Sequence, residues 1–453
     1  MTDRIVIIGG GITGLTAAHE LRRLGRDFVV IEESARVGGK IAGGPIAGSG
    51  LPFDVDMAAD GFLLREPEMV ELCRELGLHD DLVAPAGSGA YLWVDGALRR
   101  IPPSVLGAPL DPDAVADSGI VSPAGVAEFA ERSTTGLPAL EGDDAVGAVL
   151  RPRVGDEVFE RLVDPLLGGI NAGSADHMSI RAGAAALATA ASRGGPFVEA
   201  LRSHVAAATP GVPVFNGVRG GSQRIIDALV DELGDRIHTG AAAFDLERDG
   251  TGWVVRTDDE AITASEVILT TPAWVSAKLL AAHAPEAAAV LTGITYADAV
   301  LVTFVAESQA VDHPLDGAGF LVPRDQGLLM TACSWSSSKW AHYDDGRHVV
   351  LRVSAGRTDD RRWLDLEPDA LVDRLRRELT TTIGLHGDAA TRISPWRRSL
   401  PQYRPGHLVR CDRIDEWLER DAPGLRLAGA SMRGLGLPAC VRQGRAAAAA
   451  AAR

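Results

Sequence analysis

The sequence predicts an α/β protein whose main domain is an open, mostly parallel sheet assembled from separate parts of the chain. Three observations support this fold class. A strand, a glycine turn, a helix and a second strand follow one another within the first 32 residues; strand and helix patterns return after about residue 212; and a last strand and glycine turn precede the terminal helix. Because alternating strands and helices build parallel sheets, we expect these parts to share one discontinuous, Rossmann-like domain.

The opening unit runs from residue 4 to Glu32 and predicts a dinucleotide site. Its turn consists of Gly9, Gly10, Gly11, Ile12, Thr13 and Gly14. In such a unit the first glycine allows a tight turn, the second lets the backbone approach a pyrophosphate, and the third lets helix and strand pack closely. The helix N-terminus then directs free N–H groups at the phosphates. Glu32 follows Gly11 by 21 residues, close to the spacing that reaches a ribose 2′-hydroxyl. A turn that serves packing alone is the alternative.

The composition between the strand-bearing parts predicts two further units. Residues 97–213 are rich in Pro, Gly and Ala, contain helical patches such as 156–167, and predict a mostly helical insert. Residues 279–420 mix short strands with a helix and, together with 85–96, predict an α+β domain for the substrate. The Rossmann-like domain then comprises residues 1–84, 214–278 and 421–453.

The individual elements follow from periodicity and from stop signals. A helix is expected over 222–233, where apolar residues recur at helical spacing and Gly234 ends the pattern. A further helix is expected over 369–382. The expected strands are 212–215, 253–255, 267–269, 300–305, 349–353 and 425–429.

The bulk properties exclude several classes of protein. The 453 residues are 46% hydrophobic and 23% charged, as in globular proteins with more than one domain. A net charge of −16 argues against nucleic acid as a partner, and a polyanionic substrate would need a local basic group. The four cysteines and the histidines show no metal-ligand spacing, so we expect no metal site and free thiols in a reducing cytoplasm.

We expect a cytoplasmic protein with at most peripheral membrane contact. A strand within the first five residues leaves no secretory signal, and no run of 18 strongly apolar residues could span a membrane. The alanine-rich stretch 182–191 is interpreted as a packed helix rather than a membrane segment.

The loop after the second strand indicates that the bound dinucleotide is FAD. Glycines at 38 and 39 permit close backbone approach to a cofactor, and Lys40 can offset phosphate charge. Residues 32–40 resemble the second part of the FAD fingerprint of amine-oxidase-like flavoproteins, with an ordinary surface turn as the alternative. In such proteins an extended FAD lies across the molecule, which agrees with a discontinuous domain.

The C-terminal turn has the composition of a flavin contact. Gly434 and Gly436 let the backbone press against a flat ring, and Pro438 suits the first turn of a helix. That helix N-terminus, directed at the N1–O2 edge of a flavin, would stabilise the anionic reduced form. A plain strand–helix turn is the alternative.

Four segments in order resemble one family of this superfamily, the oxygen-dependent protoporphyrinogen and coproporphyrinogen oxidases. They are residues 154–173, 331–340, 396–407 and 429–441. The resemblance covers nearly the whole chain and is strongest to the bacterial coproporphyrinogen-type branch. It implies an FAD-dependent oxidase of heme biosynthesis that removes six electrons from a porphyrinogen in three two-electron steps, with oxygen as acceptor. The cofactor supplies the redox chemistry, and no side chain is assigned as a catalytic base.

The resemblance also implies which residues hold FAD. Beyond the opening turn with Glu32, Gly39 and Lys40, they are Ala58, Ala59, Asp60, Gly61, Ala243, Ala430, Leu435, Gly436 and Leu437.

The chain departs from the family pattern where the substrate is expected. Residues 58–62 read Ala-Ala-Asp-Gly-Phe in place of Gly-Pro-Asp-Ser-Phe, and Asn171 replaces an aromatic residue. Met432-Arg433 replaces an aromatic–acidic or similar pair, Glu66 stands where some relatives carry a basic residue, and Ala90 stands where the mitochondrial branch has a propionate-binding arginine. Two other functions therefore stay open. One is a diverged flavin oxidase or dehydrogenase acting on a specialised-metabolite amine or pyrrole, and the other is a flavin-holding protein that binds a tetrapyrrole without turnover.

Three residues are candidates for binding a carboxylated substrate: Arg65, Asn171 and Arg433. A guanidinium forks onto a carboxylate, which favours the two arginines. For Arg65 the alternative is an exposed side chain or one paired with Glu66 or Glu68. For Arg433 it is a surface ion pair.

Overall fold

Five parallel strands form the central sheet of the protein. The computed structural model describes residues 3–87, 89–206 and 213–453. The strands lie in the order Ile237–Thr239, Phe28–Glu32, Ile5–Ile8, Glu266–Leu269 and Leu425–Leu427. All neighbours in this sheet are parallel. The predicted Rossmann-like fold, assembled from the beginning, the middle and the end of the chain, is confirmed.

Both faces of the central sheet are buried, because successive strand residues point to opposite sides. Ile5 and Ile7 pack on one side against helices Ile12–Arg23, Glu68–Glu75, Gln223–Leu233 and Leu437–Ala451. Val6 and Ile8 pack on the other side against a three-stranded antiparallel sheet and three helices. These strands are Ala243–Asp249, Gly252–Thr257 and Ala261–Ala264, and the helices are Ala273–Leu280, Pro285–Thr292 and His407–Asp421.

A second sheet, here called the mixed sheet, contains seven strands. Their order is Ala390–Pro401, Tyr296–Glu307, His348–Ala355, Met330–Trp335, Gly319–Leu321, Tyr91–Val94 and Ala97–Arg100. Neighbours are antiparallel, except that Gly319–Leu321 and Tyr91–Val94 are parallel. One face packs on helix Pro368–Ile383 through Leu371, Leu375 and Leu379. The opposite face carries small and polar side chains and belongs to the candidate site.

Helices fill most of the predicted insert. They are Pro112–Ser118, Pro123–Thr134, Val146–Val154, Asp156–Val158, Asp164–Asn171, Ile180–Gly183, Ala185–Ala191 and Phe197–Ala206, with a π-helical turn at Phe159–Val163. Phe129, Phe159 and Leu187 lie in their common core. The alanine-rich stretch is packed in this core, as the sequence predicts. Residues 207–212 of the insert, including Val212 of the strand predicted at 212–215, lie outside the described residues.

The start of the insert differs from the predicted boundary at residue 97. Ala97–Arg100 is the edge strand of the mixed sheet and pairs with Tyr91–Val94. The reason is a two-residue hairpin turn at Asp95 and Gly96, whose φ angles are 50° and 77°. Asp-Gly is a preferred sequence for such turns, so the hairpin was readable from the sequence.

Two helices of the range 279–420, which the sequence predicts as part of the substrate domain, pack against the central sheet. Pro285–Thr292 and His407–Asp421 contribute Leu291, Ile414 and Leu418 to the core that covers one face of that sheet. Their apolar faces explain this placement, since an amphipathic helix is stabilised by the nearest apolar surface that it can cover.

The remaining elements are short. A three-stranded sheet contains Phe62–Leu63, Phe215–Val218 and Leu82–Val83, so the strand expected near 212–215 extends instead from Phe215 to Val218. Two-stranded pairs join Gly43–Gly44 with Val55–Asp56, Ser104–Val105 with Ala108–Pro109, and Gly136–Leu137 with Gly195–Pro196. Ser336–Lys339 forms a single helical turn. None of the helices in the described ranges combines the length and apolar composition that crossing a bilayer requires.

Candidate active site

The opening glycine turn is built so tightly that two of its glycines are obligatory. Gly9 has a φ angle of 110°, and a Cβ on Gly14 would lie 1.9 Å from the carbonyl oxygen of Gly9. The first strand therefore runs directly into helix Ile12–Arg23. Thr270 closes the turn from the neighbouring strand, since its hydroxyl donates to the carbonyls of Ile8 (3.0 Å) and Gly9 (2.8 Å).

Gly11 faces open space, in contrast to Gly9 and Gly14. Apart from its chain neighbours, no atom of the described residues would lie within 4 Å of a Cβ at this position. Gly11 is also the N-cap of helix Ile12–Arg23, and a glycine offers no side chain to accept the first N–H groups of the helix. These groups and the open space form an anion site of the kind that holds a pyrophosphate.

The loop after the second strand lies against this turn. Gly38 donates its N–H to the Gly10 carbonyl at 2.7 Å, and a Cβ on Gly39 would lie 3.3 Å from Gly11 Cα. Lys40 is exposed to solvent. Burial by the surrounding protein nevertheless lowers the pKa of Lys40, while the nearby Cys440 thiol raises it. The Lys40 ammonium therefore lies near Cys440, in the first turn of helix Leu437–Ala451.

Glu32 connects the second strand to the glycine turn. Its carboxylate accepts hydrogen bonds from Gly10 N–H (2.7 Å) and Ser34 N–H (2.8 Å). A carboxylate has about four acceptor positions, so two remain for ribose hydroxyls. The Ala241 N–H donates to the Glu32 carbonyl at 3.0 Å, which brings the predicted FAD contact Ala243 into the same region.

The C-terminal turn is fixed by two side chains. Tyr403 donates its hydroxyl to the carbonyl of Ala430 (2.5 Å) and accepts the N–H of Gly434 (3.2 Å). The Gln443 amide oxygen accepts the N–H groups of Gly429 (3.3 Å) and Arg433 (3.1 Å). Gly436 is the N-cap of helix Leu437–Ala451, so this helix also presents N–H groups without a side-chain acceptor from its cap residue.

The segment Ala58–Gly61 is held on the mixed sheet by a buried charge cluster. Asp60 accepts from Arg352 Nη1 (2.7 Å), Trp340 Nε1 (3.1 Å) and Lys339 Nζ (3.2 Å). Arg352 also donates to the carbonyl oxygen of Ala58. Arg352 is only 5% exposed, so its charge is balanced inside the protein rather than by water.

The pKa values of Asp60 and of the nearby Asp56 are shifted in opposite directions. Burial raises the pKa of Asp60, but the neighbouring Lys339 and Arg352 outweigh it and lower the pKa to about 2. Burial raises the pKa of Asp56 to about 6, although Arg352 and the hydroxyl of Tyr343 act against that rise. The two carboxyl groups therefore differ in charge in weakly acidic solution.

Strand register arranges the inner face of the mixed sheet in two rows. The charged row consists of Arg392, Thr303, Arg352, Ser334 and Gly319, which are paired across successive strands. The inner row lies two residues further along each strand and consists of Ser394, Leu301, Ser354, Ala332 and Leu321. Because alternate residues share a face, both rows point to the same side. The charged row lies under the segment 44–60, and the inner row continues beyond it.

Helix Asp164–Asn171, here called the signature helix, lies at the end of the inner row. A Cβ on Gly169 would lie 3.3 Å from Leu321. Asp164 is buried, accepts from Arg324 Nε at 2.6 Å, and binds the N–H of Ala175 at 2.8 Å. The neighbouring Ile170 is 51% exposed, which is unusual for a large apolar side chain beside a sheet. Ile170 is therefore an exposed apolar side chain next to Gly169, whose missing Cβ faces Leu321 at the end of the inner row.

The three predicted substrate residues lie in different surroundings. Arg65 is exposed, in the turn after strand Phe62–Leu63. Glu66 and Glu68 pair with Arg442 at 3.0 and 2.9 Å, so the alternative of an Arg65 ion pair with them is not what the structure has. Its contact with substrate stays a prediction.

Asn171 and Arg433 already have partners in the protein. The Asn171 amide is buried and donates to the Leu167 carbonyl at 2.8 Å. Arg433 forms ion pairs with Asp412 (2.8 Å) and Asp415 (2.7 Å), which is the surface ion pair that the sequence left open. Their roles toward a substrate also stay predictions.

The sequence analysis placed Lys339, Trp340 and Tyr403 in segments that resemble the family without giving them roles, and it did not single out Arg352 or Gln443. Arg352, Lys339, Trp340, Tyr403 and Gln443 each bind a backbone or carboxylate group of a predicted cofactor segment. A buried ion-pair partner for Arg352 could have been predicted from the sequence, because a charged residue within an aliphatic run such as 349–353 is rarely buried without a partner. The positions of its partners could not be inferred, since Asp60 lies 292 residues earlier in the chain.

The described residues fit an extended FAD. Open space at Gly11, two glycine-capped helix N-termini and the Lys40 ammonium supply the room and the positive field that a pyrophosphate needs. In the part of the chain that the structure describes, Arg352 Nε and Thr303 Oγ1 are buried without a hydrogen-bond partner. These two atoms lie in the charged row, beside the segment that the resemblance assigns to the flavin.

Known proteins are similar to this chain over nearly its whole length. The model of the flavin containing amine oxidoreductase family matches residues 12–452. Coproporphyrinogen III oxidase of Mycobacterium tuberculosis strain H37Rv is 35% identical, and the match covers 97% of this chain and 96% of that protein. Coproporphyrinogen III oxidase of Bacillus subtilis strain 168 is 28% identical over 98% of this chain and 96% of that protein.

Solved structures share the same architecture. A crystal structure from Exiguobacterium sp. 255-15, provisionally named protoporphyrinogen oxidase, superimposes with a TM-score of 0.88 at 29% identity and covers 99% of this chain and 98% of that one. Cyclohexylamine oxidase from Brevibacterium oxydans IH-35A has a TM-score of 0.72 at 17% identity, covers 100% of this chain and 99% of that one, and shows likeness of fold alone.

Proposed function

Because the chain belongs to the flavin containing amine oxidoreductase family, whose model matches nearly all of it, we propose that it is an FAD-dependent porphyrinogen oxidase of heme biosynthesis. Coproporphyrinogen III is the proposed substrate, with protoporphyrinogen IX as the second candidate. In the overall reaction a porphyrinogen loses six electrons and six protons in three two-electron steps, and three molecules of oxygen are reduced to hydrogen peroxide.

One observation carries this proposal: side-chain hydrogen bonds join the motif segments quoted for the porphyrinogen oxidases to one another and to the segment Ala58–Gly61, although they are distant in sequence. Lys339 and Trp340 bind Asp60, and Tyr403 binds the C-terminal turn at Ala430 and Gly434. Gln402 donates to the Asn171 carbonyl at 2.8 Å, which joins the return segment to the signature helix. Relatives that are similar over nearly their whole length support the same substrate class.

The chain's own residues divide the work of holding the cofactor. The turn from Gly9 to Gly14 and Lys40 bind the pyrophosphate, and Glu32 binds a ribose. Ala58–Gly61 and Leu435–Leu437 hold the flavin end, where helix Leu437–Ala451 presents its N-terminus and so stabilises negative charge. When bound, FAD supplies the two-electron oxidation chemistry that the protein itself lacks.

The mixed sheet shapes the space for a flat, carboxylated macrocycle. The inner row carries no formal charge, and its Leu301, Ala332 and Leu321 are the apolar groups proposed to contact the macrocycle. Arg352 cannot serve as a free carboxylate partner, because Asp60 already balances it at 2.7 Å. Carboxylates of the substrate are therefore bound at the rim, and the exposed Arg65 is the proposed partner there.

Anaerobic flavin reduction tests the proposal directly. The purified holoprotein is mixed without oxygen with coproporphyrinogen III or protoporphyrinogen IX, and flavin bleaching and porphyrin fluorescence are followed. We expect coproporphyrinogen III to bleach the flavin, and admitted oxygen to restore it with formation of hydrogen peroxide. Failure of both porphyrinogens to reduce the flavin would favour a diverged oxidase of another amine or pyrrole. Tetrapyrrole binding without bleaching would identify a non-turnover binding protein.

A further inference from the structure

A cavity lies outside the candidate active site, at one end of the mixed sheet. Its volume is about 400 Å³, within the range of small-molecule sites. It opens beside the loops that follow strands Gly319–Leu321 and His348–Ala355. One wall is apolar and includes Val322 and Leu328. The charged lining residues are Arg324, Arg357, Asp359, Asp360, Arg361 and Arg362.

Four arginines and two aspartates line the cavity. Three of the arginines form ion pairs: Arg362 pairs with Asp360 at 2.6 Å, Arg361 pairs with Asp298 at 3.1 Å, and Arg324 pairs with both Asp359 and Asp164 at 2.6 Å.

Arg357 is the group that these ion pairs leave unbalanced. It is only 6% exposed, and its Nη2 donates to the Val322 carbonyl at 2.8 Å. Among residues 3–87, 89–206 and 213–453, no carboxylate lies within ion-pair distance of it, and its Nε has no hydrogen-bond partner. Burial and the neighbouring Arg324 lower the pKa of Arg357, while nearby aspartates offset only part of that effect. A buried cation in this condition is stabilised by a bound anion.

The geometry points to a binding site for an organic carboxylate in this cavity, with Arg357 as its central cation. A guanidinium fork matches a carboxylate, and the apolar wall of Val322 and Leu328 fits the hydrocarbon part of such a ligand. Inorganic phosphate would leave that wall uncovered. The carboxylate comes from a free small acid or from a propionate side chain of a tetrapyrrole. The site is independent of the proposed function, since no flavin or turnover enters the argument.

Two contacts link this cavity to the signature helix. Thr358 donates its N–H to the Ala172 carbonyl at 2.9 Å, and Arg324 donates to the Gly173 carbonyl. Arg324 also holds Asp164 within the helix. A ligand on Arg357 therefore fixes the loop 357–362 against the residues that end the signature helix.

Calorimetric titration of the holoprotein at constant ionic strength tests the site, with glutarate, inorganic phosphate and coproporphyrin III as probes. We expect glutarate to bind once per chain and more tightly than phosphate. Arg357→Gln should weaken glutarate binding by on the order of 30-fold or more, because the central charge is lost. Arg347→Gln is the matched control, since Arg347 is exposed, pairs with Glu307 and precedes strand His348–Ala355 at its other end. It should leave binding unchanged.

Competition between the probes distinguishes a free small acid from a tetrapyrrole propionate as the source of the carboxylate. Displacement of glutarate by coproporphyrin III assigns the site to a tetrapyrrole propionate, whereas simultaneous binding assigns it to a free acid. If Arg357→Gln does not fold, Arg362→Gln serves instead, because Arg362 is half-exposed at the rim and its loss should weaken binding several-fold. Absence of saturable binding by glutarate and coproporphyrin III, or tighter binding of phosphate, overturns the proposal. These results do not depend on whether any porphyrinogen reduces the flavin.

Discussion

Arg352 Nη1 lies 2.7 Å from the carboxylate of Asp60, and the same guanidinium binds the carbonyl of Ala58. One side chain of the mixed sheet thus fixes two residues of the segment that the family resemblance places beside the flavin. The pair joins the Rossmann-like part of the protein to the mixed sheet. Both side chains are largely buried. Loss of Asp60 leaves the buried Arg352 without its carboxylate partner, whereas loss of Arg352 leaves Asp60 with the Lys339 ammonium at 3.2 Å as its ion-pair partner.

We predict that Arg352→Gln lowers the free energy of unfolding by about 3–5 kcal/mol, the range for breaking a buried ion pair. Arg347→Gln, which removes an exposed arginine beside the same strand, should change it by no more than about 1 kcal/mol. Denaturant unfolding of both holoproteins checks this difference. Equal stability of the two variants would mean that the Asp60 pair contributes little and that water replaces Arg352.

Asp56 and Asp60 should give opposite pH dependence of stability. Burial raises the pKa of Asp56 to about 6, so the folded state binds its proton more tightly than the unfolded state. Stability from this group is therefore lost as pH rises from about 4 to about 6. Asp56→Asn cannot ionise and lacks this pH-dependent loss. The difference in free energy of unfolding, Asp56→Asn minus wild type, should therefore increase by roughly 1–3 kcal/mol between pH 4 and pH 6.

The contribution of Asp60 to stability changes with pH in the opposite direction to that of Asp56. Lys339 and Arg352 outweigh burial and lower its pKa to about 2, so its contribution is present above about pH 4 and is lost as pH falls toward 2. Asp60→Asn should be less stable than wild type at pH 6, and the difference should shrink in acid. Unfolding curves of both variants between pH 3 and 7 measure the two trends. Parallel pH profiles for the two variants would contradict the charge assignment.

Much of the fold was predictable because its signals are local. Apolar alternation and glycine stops located the central strands and helices, and the glycine turn predicted a dinucleotide site. Helices Pro285–Thr292 and His407–Asp421 were not predicted, and the sequence analysis included residues 279–420 in the substrate domain, although both helices pack beside the central sheet. An apolar helix face shows that it is buried but not what buries it.

The candidate site was less predictable than the fold. Glycine spacing, together with the resemblance, suggested the segments that approach FAD, whereas the side chains that hold those segments come from distant strands. Trp396 illustrates this: its indole N–H donates to the Met57 carbonyl at 2.9 Å, across 339 residues of chain. Such pairs depend on strand register, which a single sequence leaves undetermined.

Arg65→Ala should raise the KM for coproporphyrinogen III by about two- to fivefold, the range for an exposed ion pair. Because Arg65 is exposed, the effect should diminish with added salt. Arg433→Ala is the comparison variant. Its guanidinium is bound by Asp412 and Asp415, so its loss should leave the KM nearly unchanged. Steady-state oxygen consumption at two salt concentrations measures both. A larger KM change in Arg433→Ala would reverse the assignment of the carboxylate partner.

Gly11→Ala should weaken FAD binding, whereas Gly14→Ala should lower the stability of the apoprotein, although both glycines belong to the same turn. Gly11 has a φ angle of −72°, which any residue adopts, and open space surrounds its missing Cβ. The apoprotein of Gly11→Ala should therefore keep its stability within about 1 kcal/mol of wild type. The added methyl group occupies the space proposed for the pyrophosphate, so FAD affinity should fall by about tenfold or more.

In Gly14→Ala the new Cβ would lie 1.9 Å from the Gly9 carbonyl oxygen, so the strand and the helix must separate. This apoprotein should lose about 1–3 kcal/mol of stability before any cofactor is added. Denaturant unfolding of the apoproteins and fluorescence titration with FAD distinguish the two effects. If Gly11→Ala binds FAD as wild type does, the open space beside Gly11 is not the pyrophosphate site, and the phosphates must then bind elsewhere.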